Sequence, residues 1–169
     1  HIAYKNIKKV IKLTKCDAVK LEGGKKIVNI VKHLVKKKIP VMGHIGLLPQ
    51  STKRFKLKGK KLSEKKNILN DAIELSKAGV FAIVIECVVE NLAKKITNSI
   101  STPTIGIGAS KKCDGQILVI DDMIGLSNFY PKFVKQYANV KKIIEKSVKN
   151  YCKDVKKGKF PASNNVYNL

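Results

Sequence analysis

The apolar run Ala82-Ile83-Val84-Ile85 leads straight into Glu86 before continuing as Cys87-Val88. A carboxylate set into the mouth of an otherwise apolar strand is costly to bury, which marks it for a role. Two further segments end the same way. Val19-Lys20-Leu21-Glu22-Gly23-Gly24 places a cation and an anion two residues apart, and Pro40-Val41-Met42-Gly43-His44 delivers an imidazole. Carboxylate, ammonium and imidazole are the groups of acid–base chemistry. Gathered at the carboxyl ends of successive strands, they lie at the edge where parallel α/β folds build active sites. The chain therefore reads first as an enzyme.

Each of these residues also has a plainer reading. Lys20 and Glu22 could form a structural ion pair inside a barrel. Glu86 could accept hydrogen bonds from a helix amino terminus. His44, a lone histidine at a strand end, could be a satisfied structural group.

The elements that must position these groups alternate between strand and helix. Ile27, Ile30, Val31, Leu34 and Val35 give residues 25–37 an amphipathic helical stripe. A strand near Val41 follows. Ser63 is an N-cap candidate with Glu64 in the first turn, and Ile68, Leu69, Ala72 and Ile73 line the next helix before Ala78-Gly79 ends it. A strand over 81–85 comes next, and Leu92, Ile96 and Ile100 mark a short helix. Pro103 restarts the chain into a fourth strand over 104–108, and residues 117–120 make a fifth. Beyond Gly125 the pattern predicts helix throughout, with Val140, Ile143, Ile144, Val148, Tyr151 and Val155 on one side of the last helix and a loop over 160–165.

Five strands alternating with helices predict an α/β fold with a parallel sheet, since parallel neighbours need crossovers. One domain, residues 1–169, accounts for all of it. The choice lies between a doubly wound sheet and part of an eight-stranded barrel. The period of two favours the barrel, because Lys20 and Glu22 share a face that a barrel interior would turn toward one ligand. The Gly106-Ile107-Gly108 pair lacks the third glycine of a dinucleotide fingerprint and reads instead as close backbone approach.

Composition supplies a distraction. Thirty-five basic residues against twelve acidic ones give a formal charge of +23, which would ordinarily suggest nucleic acid. Only Arg54 is arginine, however, and the lysines are spread over nearly every helix. Base and phosphate recognition favours the planar guanidinium, so a solvated basic surface is expected, with no nucleic-acid partner. Cys16, Cys87, Cys113 and Cys152 include no Cys-x-x-Cys pair and are expected to be reduced, as in the cytoplasm. His1, His33 and His44 fall at no zinc-ligand spacing. No apolar run approaches the roughly 20 residues of a membrane span, so no membrane partner is expected. A start at His1, with no recognisable signal peptide, is expected of a cut or incompletely recovered longer protein.

Taken in order, Val19-Lys20-Leu21-Glu22-Gly23-Gly24, Gly43-His44-Ile45-Gly46-Leu47-Leu48-Pro49-Gln50-Ser51, Ile85-Glu86-Cys87-Val88, Ile105-Gly106-Ile107-Gly108-Ala109 and Asp114-Gly115-Gln116-Ile117-Leu118-Val119 resemble the ketopantoate (3-methyl-2-oxobutanoate) hydroxymethyltransferase family. The likeness runs from about residue 5 to the tail and includes Pro131-Lys132-Phe133-Val134-Lys135 and Phe160-Pro161. It implies a (β/α)8 TIM barrel, here strands four to eight with the amino-terminal βα units missing. It also implies transfer of a hydroxymethyl group from 5,10-methylenetetrahydrofolate to 3-methyl-2-oxobutanoate in pantothenate biosynthesis, with Mg2+ as cofactor and a homo-oligomer, a decamer, as the assembly.

By the same resemblance, Glu86 is the proton acceptor, Lys20 contacts substrate oxygens and Glu22 is linked to the metal. His44 lies within a matching motif and is taken as substrate-binding. The chemistry agrees: removing a proton beside a ketone needs a base and something to hold the enolate oxygen, and a chelated Mg2+ can serve the second need. The segment over 50–60 looks shorter than the family's loop. Asp121 and Asn165 stand where many relatives have histidine and receive no role. The family's other two metal-linked carboxylates come from strands two and three, so the isolated chain is expected to be inactive. An inactive fragment, or a basic nucleic-acid-binding module on a barrel remnant, is the alternative reading.

Overall fold

The computed structural model describes residues 2–52 and 55–167. The chain divides into two compact units, His1–Ile117 and Leu118–Leu169. The reading of the 50–60 segment lies partly outside the described residues, since it includes Lys53 and Arg54.

The first unit is a five-stranded parallel sheet in the order β1-β2-β3-β4-β5. Its strands are β1 (Val19–Glu22), β2 (Val41–Gly46), β3 (Ala82–Glu86), β4 (Thr104–Ile107) and β5 (Gly115–Gln116). Helix α1 (Ile2–Thr14) precedes β1, and α2 (Val28–Lys36), α3 (Leu62–Lys77) and α4 (Glu90–Ser99) make the crossovers. Sequence order without reversal is single winding. A doubly wound sheet would reverse at a switch point and carry helices on both faces. The architecture is thus an α/β fold consistent with an arc of a barrel.

Alternation along the strands divides the sheet into two faces. Val41, Ile45, Ile83 and Ile85 join Val31, Leu34, Leu75 and Ile96 of the helices in one buried core. Each such aliphatic side chain contributes about 1.5–3 kcal/mol when fully buried. The alternate residues, Lys20, Glu22, His44 and Glu86 among them, take the opposite face. That face has polar groups because no helix of this unit needs it for packing.

The helix-packed face has its own polar knot. Thr104, fully buried, donates its N–H and hydroxyl to Asp114 Oδ2 at 2.7 and 2.9 Å, and its oxygen lies 2.9 Å from the Thr97 hydroxyl of α4. These hydrogen bonds hold the Asp114 carboxyl below its usual range.

Several elements differ from their predicted form. Helix α1 was not predicted; Tyr4, Ile7 and Ile11 dock it on the core. The stretch from 25 begins with a 3-10 turn, Lys25–Ile27, and the buried residues of α2 are Val28, Val31 and Leu34, while Ile30 is exposed. Helix α3 starts after Lys61, with no side-chain cap from Ser63. Glu64 reaches back instead and accepts from the N–H groups of Gly59 (2.7 Å) and Lys60 (3.3 Å). The stripe of α3 is Ile68, Ala72 and Leu75.

The fifth strand is Gly115–Gln116, paired with Ile105 and Gly106, and not 117–120. Ile117 still donates to Gly106 O at 3.0 Å, but Ile120 already opens a helix, and Ile117 and Val119 are exposed.

The second unit contains α5 (Ile120–Met123) and α6 (Val140–Lys156). The expectation of helix throughout from Gly125 is corrected: residues 126–139 are irregular. Gly125 has φ +78°, and Tyr137 and Val140 donate to Met123 O (2.8 Å) and Ile124 O (3.0 Å), which folds the segment back on α5. Asn139 then caps α6 by accepting from Lys142 N at 3.1 Å. The predicted α6 stripe exists, but Ile143, Ile144, Val148, Tyr151 and Val155 are all exposed.

Candidate active site

Parallel pairing brings three of the predicted residues together. Glu22 is opposite His44 across β1 and β2, and Gly46, two residues beyond His44, is opposite Glu86 across β2 and β3. Neighbours in register share a face, so the two carboxylates flank one imidazole. His44 Nε2 lies 3.0 Å from Glu86 Oε2, and His44 Nδ1 lies 3.7 Å from Glu22 Oε1.

The burial of this row is high: the side chains of His44, Glu22 and Glu86 are 1, 7 and 12% exposed. The second oxygen of Glu22 accepts from Gln50 N–H at 3.0 Å. His44 is different. Neither ring nitrogen has an aligned hydrogen-bond partner: Glu22 is too far from Nδ1, at 3.7 Å, and Glu86 is near Nε2, at 3.0 Å, but out of line with its N–H direction. A buried imidazole without aligned partners is uncommon and points to a group that is meant to arrive.

Lys20 is not part of the row. It stands on the same face two residues earlier, opposite Met42, and is exposed. No salt bridge joins it to Glu22 among the described residues, so the structural ion-pair reading has no contact behind it. The helix-terminus reading of Glu86 fares likewise: among the described residues, the polar partner of its side chain is His44 and not a helix N–H.

Two site residues were missed in the sequence. Gly46 has φ +91°, and a Cβ there would lie 2.3 Å from the carbonyl oxygen of Glu86. Cys87, which carries no site role in the sequence reading, has φ +51°. No composition or period signals either, since both depend on how neighbouring strands meet. Burial, and then the Glu86 charge, push the Cys87 thiol up, against the opposing effect of Lys58. A buried, protonated thiol is a poor nucleophile.

The surroundings of Glu22 decide how well it suits magnesium. Magnesium takes about six oxygens in near-octahedral array. One Glu22 oxygen is engaged by Gln50, the other faces an imidazole, and no group of three or more His, Cys, Asp or Glu among the described residues could hold a metal ion. This donor set by itself does not fit the ion. The row can nonetheless perform proton transfer: a shielded carboxylate next to an imidazole, at the carboxyl edge of a parallel sheet, is suited to take a proton from carbon.

Comparisons with known proteins identify the family. The family model described as ketopantoate hydroxymethyltransferase matches residues 1–163. A 3-methyl-2-oxobutanoate hydroxymethyltransferase of Pelagibacter ubique (strain HTCC1062) is 55% identical over 165 residues, covering 98% of this chain and 64% of the relative. That of Bartonella tribocorum is 47% identical over 170 residues, covering 99% and 63%, and that of Clostridium kluyveri is 53% identical over 163 residues, covering 94% and 58%. The chain thus spans less than two thirds of the length of these curated relatives.

Proposed function

The chain belongs to the ketopantoate hydroxymethyltransferase family, and from that premise we propose that the protein carrying it moves a hydroxymethyl group from 5,10-methylenetetrahydrofolate to 3-methyl-2-oxobutanoate, forming 2-dehydropantoate. The observation that carries this reading is the Glu22–His44–Glu86 row, with a buried imidazole whose nitrogens are unaligned with any protein group.

Glu86 takes the proton from C3 of the ketoacid, and the electron pair of that C–H bond becomes the enolate. Water breaks the two C–N bonds of the transferred carbon, releasing tetrahydrofolate and leaving that carbon at the aldehyde level. The enolate carbon bonds to it, and the electron pair of its C=O becomes the product's hydroxyl, which takes the proton back from Glu86. His44, 3.0 Å from Glu86, holds the base and meets the ketoacid with its ring edge. Lys20 supplies a positive charge for the substrate's oxygens, and its exposure leaves it room to swing toward them. Glu22 is the residue assigned to magnesium, the Lewis acid of the implied reaction. Because the ion does not fit these donors alone, proton removal is derived from Glu86, His44 and Lys20 without it.

The strands are proposed as the fourth to eighth of a single-domain (β/α)8 barrel. The assembly is proposed as a homo-oligomer, a decamer by family likeness, working in the cytoplasm on small molecules. Among the described residues no helix is long and apolar enough to cross a membrane.

The test is to supply the full-length protein with 3-methyl-2-oxobutanoate and methylenetetrahydrofolate labelled in the transferred carbon. Label in 2-dehydropantoate is the expected result; product without label, or no product, would reject the reading.

A further inference from the structure

Three residues other than glycine have positive φ among those described: Lys15 (+58°), Lys38 (+58°) and Cys87 (+51°). The first two need no special account, since Lys15 follows the end of α1 and Lys38 lies two residues beyond α2, where left-handed backbone commonly closes a helix. Cys87 closes no helix. It directly follows β3 and Glu86, and a left-handed conformation is strained for a residue with a Cβ. Such strain persists only where its surroundings over-determine it, and it clusters at functional sites.

The surroundings here are backbone hydrogen bonds on every side. The carbonyl of Glu86 accepts from Leu47 N at 2.8 Å. Cys87 N donates to Ile107 O at 2.8 Å, and the Cys87 carbonyl accepts from Lys58 N at 2.8 Å. The residue just after β2, strand β4 and the segment before α3 thus grip the two peptide groups that follow Glu86. Gly46 makes the first grip possible: an added Cβ would sit 2.3 Å from Glu86 O and 2.6 Å from Val88 Cγ2. The thiol takes no evident part, being buried and held protonated.

We propose that Gly46 and the left-handed backbone of Cys87 form a clamp that aims the Glu86 carboxylate, so that Cys87 is a positioning residue through its main chain and not its sulfur. This rests on the reading of Glu86 as the base. The clamp stops β3 from running straight on, fixes the peptide planes next to Glu86, and holds its side chain toward His44 instead of leaving it on a frayed strand end. Misplacing a reacting group by about 1 Å can cost about 100-fold in rate.

The experiment compares Cys87→Gly and Cys87→Val in the full-length protein, reading kcat and KM for exchange of the C3 hydrogen of 3-methyl-2-oxobutanoate into deuterium oxide, with thermal unfolding alongside. Glycine adopts positive φ freely, whereas a β-branched residue is a genuine outlier there. The clamp therefore predicts that valine lowers kcat at least about tenfold more than glycine does, with KM for the ketoacid within about threefold of the wild type.

A packing role for a buried thiol predicts the opposite order, since valine fills an apolar site and glycine empties it. Equal loss in both variants would implicate the sulfur. Either result overturns the proposal. If Cys87→Val does not fold, Gly46→Ala serves in its place: a fall in kcat at near-constant KM supports the clamp, and full kcat refutes it. Failure of the base reading itself is recognised separately, by unimpaired exchange in Glu86→Gln.

Discussion

Thr104 and His44 are buried alike, at 0 and 1% exposed, on opposite faces of one sheet. On the helix-covered face Thr104 is bonded through both N–H and hydroxyl to Asp114 and lies next to the Thr97 hydroxyl. On the other face both nitrogens of His44 lack an aligned partner, although two carboxylates stand beside it. Burying an unsatisfied polar group costs about 1–3 kcal/mol. The face that holds the fold together avoids that cost, and the face proposed to carry the reactive groups tolerates it.

The comparison is tested most severely by paired substitutions. Thr104→Val should cost about 1–2 kcal/mol of unfolding free energy, because it removes hydroxyl hydrogen bonds to Asp114 and Thr97. His44→Leu, of similar bulk and without polar atoms, should stay within about 1 kcal/mol of the wild type while weakening ketoacid binding. Urea unfolding of the full-length protein measures both. Equal losses would erase the contrast between the faces.

A smaller effect sharpens the same contrast through pH. The Asp114 carboxyl is lowered in the folded protein by the Thr104 hydrogen bonds. The unfolded chain therefore takes up a proton first as acid is added. The stability from this group is present above the unfolded carboxylate value and is lost as pH falls through the lower folded value. As pH falls below the unfolded carboxylate value toward the lower folded one, the wild type should lose more stability than Asp114→Asn. The group is exposed, so solvent screening keeps the difference modest. Identical acid profiles would remove Asp114 from the network's energetics.

Much of the candidate site was legible in the sequence because its residues lie on single strands. An apolar run ending in Glu86, and the polar residues of Val19-Lys20-Leu21-Glu22, reveal their faces through the period of two. What was not legible depends on two strands at once. The need for glycine at position 46 comes from the approach of the Glu86 carbonyl, and the φ of Cys87 comes from hydrogen bonds to Ile107 and Lys58.

The fifth strand was misread for a related reason. The run at 117–120 is apolar, but register with Ile105 and Gly106 places the pairing at Gly115 and Gln116. Tyr4, Ile7 and Ile11 carry a helical spacing that could have revealed α1. In α6 the apolar period correctly predicted a helix, yet a period alone does not say that the stripe is buried, and here it is exposed.

The assignment of Glu86 as the base is the centre of this account, and one measurement reaches it directly. Full-length wild type and Glu86→Gln are each incubated with 3-methyl-2-oxobutanoate in deuterium oxide, and loss of the C3 proton signal is followed by NMR, with ketoacid affinity measured by calorimetry. Glutamine keeps the shape of the side chain but cannot take the proton. Exchange should fall by about 100- to 10,000-fold, with affinity changed by less than about threefold. Exchange at the wild-type rate in Glu86→Gln would contradict the account.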